Sequence, residues 1–302
     1  MGRQLHSILA NLAKVHGPLM SLRLGTQISI IASSPEAARE VLKTHDRELS
    51  GRFIANAIPL INPKLNNFSL AAAPECNDYW RSLRAICKAD LFSAKVLESQ
   101  NHIREKKVRE LVDFLGSKEG ELVNLGEAIY VTYTNILTNA IFSVDFMDSE
   151  ELMRNQDVMH KLREEIESEI GTNIVKESHL SHLPYLEACV KETLRLYPPG
   201  PLLILHRALQ TCRVMGYTIP KDSFISVNIW SIDRDPMVFN DPLSFKPKRF
   251  LDSSLDFKGT NFDYTPFGAG RRGCPGQPLA TRQVPLILAS LVHSLTGLFQ
   301  AV

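Results

Sequence analysis

The ten residues Phe267-Gly-Ala-Gly-Arg-Arg-Gly-Cys-Pro-Gly276 constrain this 302-residue chain more than any other stretch. Its glycines and its proline disfavour a regular helix or strand, because ordering glycine costs the most backbone entropy and proline lacks an amide donor. What remains is a loop whose backbone can approach a flat partner closely. The loop carries one thiol, Cys274, and an arginine two residues before it. A lone thiolate in such a setting suits axial ligation of a haem iron. Arg272 suits a haem propionate, since a guanidinium makes charge-assisted, often bidentate bonds to carboxylates.

Two other readings compete for the same residues. Gly268, Gly270 and Gly273 literally match the Gly-x-Gly-x-x-Gly fingerprint of dinucleotide sites. That fingerprint needs a strand before it, a helix directly after it and an acidic residue about 20 positions on. Here Pro266 precedes the glycines, Cys274-Pro275 follows them, and no Asp or Glu occurs after Asp263. A plain surface turn with an incidental cysteine explains any one residue of the loop, but not the spacing Phe267, Gly270, Arg272, Cys274, Gly276.

Composition narrows the rest. At 44% hydrophobic and 22% charged, the chain has ample apolar surface for a large core. A formal net charge of +1 gives no global field to attract nucleic acid or an anionic surface. Cys76, Cys87, Cys189, Cys212 and Cys274 are scattered and include no C-x-x-C pair. That spacing opposes a zinc site or a disulfide framework and favours buried free thiols in a reducing compartment. No apolar run reaches 18 residues; Val284–Phe299 comes nearest and reads as a buried core helix.

Punctuation and periodicity then divide the chain. Met20–Leu24 and Ile28–Ala32 read as strands around a Gly25-Thr26 turn. Ser34-Pro35-Glu36 reads as an N-cap, a proline at the first helical position and an acidic first turn, opening a helix to about Thr44. Gly51–Pro74 reads as a breaker-rich covering loop. Helices are expected at Tyr79–Ala89, Ser93–Gly116, Leu122–Ile141, Leu152–Ile170 and Pro184–Leu196. Short strands follow between Leu202 and Val227, then a long ordered meander from Asp233 to Asp263. No repeat or low-complexity linker interrupts the chain, so a single domain over residues 1–302 is expected.

Three constellations sit on these elements. Glu192 and Arg195 are three apart on a helix and share a face, as do Trp80 and Arg84 at four apart. Read alone, the first is a solvated pair, and the second a core tryptophan beside a surface arginine. Glu105-Lys106-Lys107-Val108-Arg109 is a basic helix face; solvation explains it better than a docking partner.

The loop pattern resembles the cysteine-ligand loop of the cytochrome P-450 family, and the resemblance extends over nearly the whole chain. Leu12-Ala-Lys-Val-His-Gly-Pro-Leu-Met-Ser-Leu22, Leu183-Pro-Tyr-Leu-Glu-Ala-Cys-Val-Lys-Glu-Thr-Leu-Arg195 and Asp256-Phe-Lys-Gly-Thr-Asn-Phe262 look like plant microsomal enzymes. They are most similar to the branch that includes geraniol and other monoterpenoid hydroxylases. The resemblance implies a mainly α fold with a small β region and haem b as cofactor. It implies Cys274 as the iron ligand within the frame of Phe267, Gly270 and Gly276. It further implies Trp80, Arg84, Arg207 and Arg272 as propionate partners, with His206 a poorer candidate, and Leu202–Leu205 bordering the substrate side. Glu192, Arg195 and Arg249 are expected as a scaffold network holding the meander. The implied reaction inserts one oxygen atom from dioxygen into a small lipophilic molecule. Electrons come from a flavoprotein reductase and ultimately NADPH, at the cytosolic face of the endoplasmic reticulum.

Three family parts are not found. By this resemblance, the membrane anchor with its proline-rich hinge and the terminal strands are expected to be missing. The central-helix motif Ala/Gly-Gly-x-Asp/Glu-Thr is also absent. The family's segments before and after that helix are nearly adjacent here, near Asp148–Glu151. The expected fold is therefore incomplete, and the alternative function is a non-catalytic haem-binding fragment or a splice or gene-assembly product.

Overall fold

The structure, a computed structural model, describes residues 4–53, 68–118, 120, 123, 125–142, 165–166, 168–170 and 173–294. The chain divides into two compact units, each discontinuous in sequence. Unit 1 comprises Met1–Ile86, Lys191–Lys246 and Ser253–Gln277; unit 2 comprises Cys87–Val190, Pro247–Asp252 and Pro278–Val302. The architecture is mainly helical with a small sheet region, as expected.

Unit 1 contains all the strands among the described residues. Helix α1 (Leu5–His16) stops at Gly17, whose φ of 94° is open to glycine at little cost. Strands β1 (Leu19–Leu24) and β2 (Gln27–Ala32) form an antiparallel hairpin in the register Leu22↔Ser29. Its turn uses Gly25 at φ +64°. Helix α2 (Pro35–Arg39) starts where the sequence predicts, with Ser34 Oγ accepting from Ala37 N at 3.2 Å. It runs on through a wider π turn to Thr44.

Two residues, Gly51–Arg52, make β3; His206–Arg207 make β4; and Phe224–Val227 make the strand labelled β7, after the small β5 (Cys212–Val214) and β6 (Tyr217–Ile219) hairpin. The main sheet runs β1-β2-β7-β4-β3, antiparallel except for the parallel β2–β7 pair. Ile30, Ala32, Ile225 and Val227 face a core with Val41, Leu42, Ile229, Ile232, Phe262 and Ala269. That buries β-branched and aromatic side chains against α2 and against the cysteine loop's own Ala269. Helix α3 (Asp78–Ile86) completes the part of the unit that bears on the site.

Unit 2 is a helical core. The predicted single helix Ser93–Gly116 is two: α4 (Ala94–Ser99), with Ser93 Oγ capping Val96 N, and α5 (Asn101–Gly116). Gln100 between them has left helical geometry at φ −100°, ψ 6°. Helices α5, α6 (Leu125–Phe142) and α9 (Gln277–Ser294) contribute Val108, Leu111, Leu115, Ala128, Leu286 and Leu291 to one apolar cluster. α9 starts well before the expected Val284 and takes Pro285 within it. Helix α7 (Pro184–Leu196) begins in unit 2 and ends in unit 1, at the break before Pro198; the short α8 (Ile229–Ile232) lies in unit 1. Ile166 and Ile170 of the expected Leu152–Ile170 helix are buried. Most of that helix, and the Asp148–Glu151 junction, lie outside the described residues.

Candidate functional site

The cysteine loop folds on itself by backbone hydrogen bonds. Gly268 N donates to Thr265 O at 3.0 Å, Gly273 N to Gly270 O at 3.1 Å, and Cys274 N to Phe267 O at 2.9 Å. Phe267 fixes the near end, its ring edge-on to Phe257 with centroids 6.0 Å apart. Gly270 is required twice over: its φ is +67°, and a Cβ there would run into the backbone carbonyl of Leu42. At Gly276 a Cβ would stand 3.9 Å from Cys274 Sγ, so any longer side chain would crowd the sulfur. The result is a solvent-exposed Cys274 thiol on a rigid loop.

A second layer of cations surrounds this loop. Arg84, on α3, donates to Gly273 O at 2.7 Å. Arg272 Nε donates to Ser50 O at 2.9 Å, and its two terminal nitrogens to Leu70 O at 3.2 Å and Ala73 O at 2.6 Å. Trp80 is buried, donates its indole N–H to Leu70 O at 3.0 Å, and presents its ring to both arginines. Their guanidinium carbons lie 5.6 Å (Arg84) and 4.9 Å (Arg272) from its centroid. Trp80, Arg84 and Arg272 thus come together at the cysteine loop.

Arg52 joins them unforeseen. It is 6% exposed. Its Nη1 donates to Ile204 O at 2.5 Å and Leu205 O at 3.1 Å, while its buried Nε has no partner. Burial first, and the Arg272 charge second, pull its pKa down to about 9. Burial likewise lowers Arg272, with the Arg84 charge adding to the effect. Among the described residues, none of the bonds that hold Arg52, Arg84 and Arg272 ends on a carboxylate.

β4 decides which of its two residues faces this layer. Successive strand side chains point to opposite faces, and directly opposed residues share one. Arg52 pairs with His206, and Gly51 with Arg207. His206 is therefore on the Arg52 face: it is buried, and Nδ1 is 2.7 Å from Leu49 O. A carbonyl cannot donate, so Nδ1 carries the proton. Burial and the Arg52 charge hold the imidazole neutral, at a pKa of about 3. Arg207, the expected propionate partner, is on the other face and reaches Asp222 Oδ1 at 3.3 Å. The pleat thus places the poorer sequence candidate, His206, beside the cations and gives Arg207 another partner. A one-residue choice within His206-Arg207 has no local sequence signal, and neither does Arg52, which meets its carbonyl partners across 152 positions.

Glu192 and Arg195 form a fully buried pair, correcting the solvated-pair reading. Arg195 Nε and Nη2 donate to the two Glu192 oxygens at 2.7 and 2.9 Å. Its other N–H groups reach the carbonyls of Asp233, Pro242 and Ser244 at 2.7, 2.7 and 3.2 Å, so all its donors are used. Glu192 Oε1 also accepts from Lys246 N at 2.7 Å. Helix α7 is in this way bonded to the meander at both ends of residues 233–246. Asp233 beside it has both carboxyl oxygens buried without a partner; burial holds its pKa well above the usual carboxylate range. Arg249 lies in the turn Pro247–Phe250, in unit 2.

A profile of the family described as Cytochrome P450 matches residues 1–151 and 150–299. The chain belongs to the cytochrome P450 family. The profile's two matches meet at the predicted Asp148–Glu151 junction. One relative, the probable (S)-N-methylcoclaurine 3'-hydroxylase isozyme 2 of Coptis japonica, is 37% identical over 406 positions, covering 97% of this chain and 83% of its own. Corytuberine synthase of Coptis japonica is 36% identical over 400 positions, covering 96% and 82%. Cytochrome P450 76C2 of Arabidopsis thaliana is 32% identical over 420 positions, covering 97% and 82%. Each alignment is longer than the 302-residue chain, so this P450 lacks a block that its relatives carry. A solved zebrafish cytochrome P450 with progesterone superposes with a TM-score of 0.81 at 19% identity, covering 96% of this chain and 92% of that one, and shows the same fold. None of the three relatives' names mentions a terpenoid, so that part of the sequence expectation finds no support.

P450 enzymes are haem b monooxygenases whose electrons originate in NADPH. The residues of this P450 fit that cofactor. The exposed thiol, the glycines that admit a flat ring, and the buried Arg52 with half-buried Arg84 and Arg272, none bonded to a carboxylate among the described residues, suit an iron porphyrin with two propionates. No helix among the described residues is long and apolar enough to cross a membrane.

Proposed function

We propose that Cys274 ligates the iron of haem b in this chain, that Arg84 and Arg272, packed against the Trp80 ring, hold its propionates, and that the bound group oxygenates a small lipophilic metabolite. The arrangement of an exposed thiol on a rigid loop, beside half-buried cations that bond no carboxylate among the described residues, carries this reading. Bound haem supplies activation of dioxygen, favoured by the electron-rich thiolate. The chain's own part is positional. Phe267, Gly270 and Gly276 keep the loop flat and the sulfur open. Arg84 clamps the loop through Gly273 O. The Glu192–Arg195 pair, with Arg249 as its proposed third member, locks the meander.

Relatives at 36–37% identity are named for N-methylcoclaurine hydroxylation and corytuberine synthesis, so an aromatic amine of that kind is the first substrate class to test, ahead of a monoterpenol. A flavoprotein reductase at the cytosolic face of the endoplasmic reticulum is the proposed electron donor. The family profile's matching in two pieces, 1–151 and 150–299, and alignments to relatives longer than this chain favour a second reading, a haem-binding protein without turnover. The family's central acid and alcohol have no counterpart in this sequence.

The reduced, carbon monoxide-treated visible spectrum separates these. A red-shifted Soret band that disappears in Cys274→Ala supports thiolate ligation; no such band refutes the site. With the band in hand, NADPH-dependent oxygenation of N-methylcoclaurine by chain plus reductase supports the enzyme. The band without NADPH consumption or oxygenated product supports the second reading.

A further inference from the structure

Asp233 is a buried acid whose carboxyl makes no hydrogen bond. It closes helix α8, its backbone N–H donating to Ile229 O at 2.8 Å and its backbone carbonyl accepting from Arg195 Nη1 at 2.7 Å. The residue is fully buried, and neither carboxyl oxygen has a partner. Three charged groups act on it: Glu192 and Arg195 from α7, and Arg234 beside it in its own turn. Tyr264 is a fourth titratable neighbour. Its hydroxyl donates to Lys191 O at 2.9 Å, and burial pushes its pKa up, so it stays protonated. The Lys191 ammonium is 5.7 Å from the centroid of the Phe257 ring. Arg195 spends every donor, two on Glu192 and the rest on the carbonyls of Asp233, Pro242 and Ser244. Arg234 points Nη1 to Trp230 O and Nη2 to Leu196 O, with its guanidinium 4.3 Å from the Trp230 ring centroid. As a neutral acid, Asp233 leaves this arrangement intact. As a carboxylate it is an acceptor that needs donors. Arg195 can supply one only by releasing Glu192 or a meander carbonyl.

We propose that Asp233 is a proton-operated latch on the meander: protonated, it leaves the bonds from α7 to residues 233–246 undisturbed, and ionised, it draws Arg195 away from them. The latch is worked by a proton alone and is independent of the haem reading above. Burial, opposed in part by the charges of Arg195 and Arg234, holds the folded carboxyl well above the usual range. In an opened meander the carboxyl returns to about 3.9. The closed meander therefore binds the proton more tightly than the opened one. Closure is strongest below about pH 3.9 and is lost as pH rises through the folded value.

The test is amide hydrogen exchange across residues 233–246 of the full-length chain from about pH 5 to pH 8, corrected for the intrinsic exchange of free amides. Wild type is compared with Asp233→Asn, which keeps the shape of the side chain and cannot ionise. One proton held only by the closed meander predicts that wild-type protection falls about tenfold per pH unit until the folded carboxyl itself ionises. Asp233→Asn should show protection that is flat with pH over the same residues. Flat protection in wild type overturns the proposal, and so does a variant that keeps the wild-type slope, because a merely structural residue leaves no proton to titrate. Where Asp233→Asn does not fold, wild type decides through a second reading, the infrared carbonyl band of a protonated carboxylic acid. The band should be present at the acid end and fade together with the loss of protection. No such band, or protection lost while the band persists, overturns the latch.

Discussion

Unit 1 buries arginines in two ways. At Arg195, every donor is spent, two on Glu192 and the rest on three carbonyls of the meander. At buried Arg52 and half-buried Arg272, carbonyls take the donors, and no carboxylate among the described residues bonds either. Unit 2 follows the first pattern: Arg104 is bonded through Nε and Nη2 to Glu177, and Arg282 lies 2.9 Å from Glu98. The contrast teaches what each cluster is for. An arginine whose charge is matched by a carboxylate and whose donors are all used fixes geometry. A cluster that keeps its charge is what the proposed function reads as a binding site, where a ligand of opposite sign would offset its cost.

The largest effect should come from opening the saturated cluster. Arg195→Ala leaves the Glu192 carboxylate buried without its guanidinium, and should cost about 3–5 kcal/mol in denaturant unfolding, with or without haem. Arg272→Met should cost the haem-free chain less, about 2 kcal/mol, since relief of repulsion with Arg52 offsets part of the lost hydrogen bonds. Its haem affinity should fall far more than that of a surface arginine variant. Equal losses for Arg195→Ala and Arg272→Met in the haem-free chain would erase the distinction drawn here.

Acid probes the open cluster in a different manner. His206 is neutral when folded, at a pKa of about 3, and takes up a proton near 6.5 when unfolded. The unfolded state therefore binds the extra proton between those values. The haem-free chain keeps this stability above about pH 6.5 and loses it as pH falls toward 3, roughly 3 kcal/mol by pH 4.5. His206→Gln, which retains a donor for Leu49 O, should flatten that part of the pH profile; an unchanged profile would assign the acid loss elsewhere. The smallest effect belongs to Arg207→Ala. Its pair with Asp222 is partly exposed, so stability should shift by less than about 1 kcal/mol. Haem release should match wild type if the strand face assigned to Arg207 is right.

Local chemistry was readable from the sequence wherever one residue dictates one geometry. Gly25 turns the first hairpin, Ser34-Pro35 opens α2, and the break before Pro198 closes α7. The Phe267–Gly276 loop was equally readable, because its glycines are required by φ and by close approach. The division at Gln100 was not: glutamine is a good helix former, and no glycine or proline marks the spot. Helix α1 carried no recognised start signal. Arg52 and His206 escaped for a third reason. Their roles depend on a two-residue strand pairing between distant segments, which is decided by the whole sheet and by no neighbour in sequence.

The parallel pairing of β2 with β7 has a consequence for how the protein is made. Gln27 and the Asp222 carbonyl it bonds are 195 residues apart, and the strands flanking them join N-terminal to late-synthesised sequence. At a synthesis rate of about 5–20 residues per second, roughly 10–40 seconds pass between the emergence of these partners. Through that interval the β1–β2 hairpin waits with the edge Ser29–Ala32 open, carrying Ile30, Ile31 and Ala32, which end up buried. An apolar edge of this kind readily recruits a foreign strand. The nascent chain thus depends on a chaperone or on its own intervening helices to keep that edge occupied until β7 arrives.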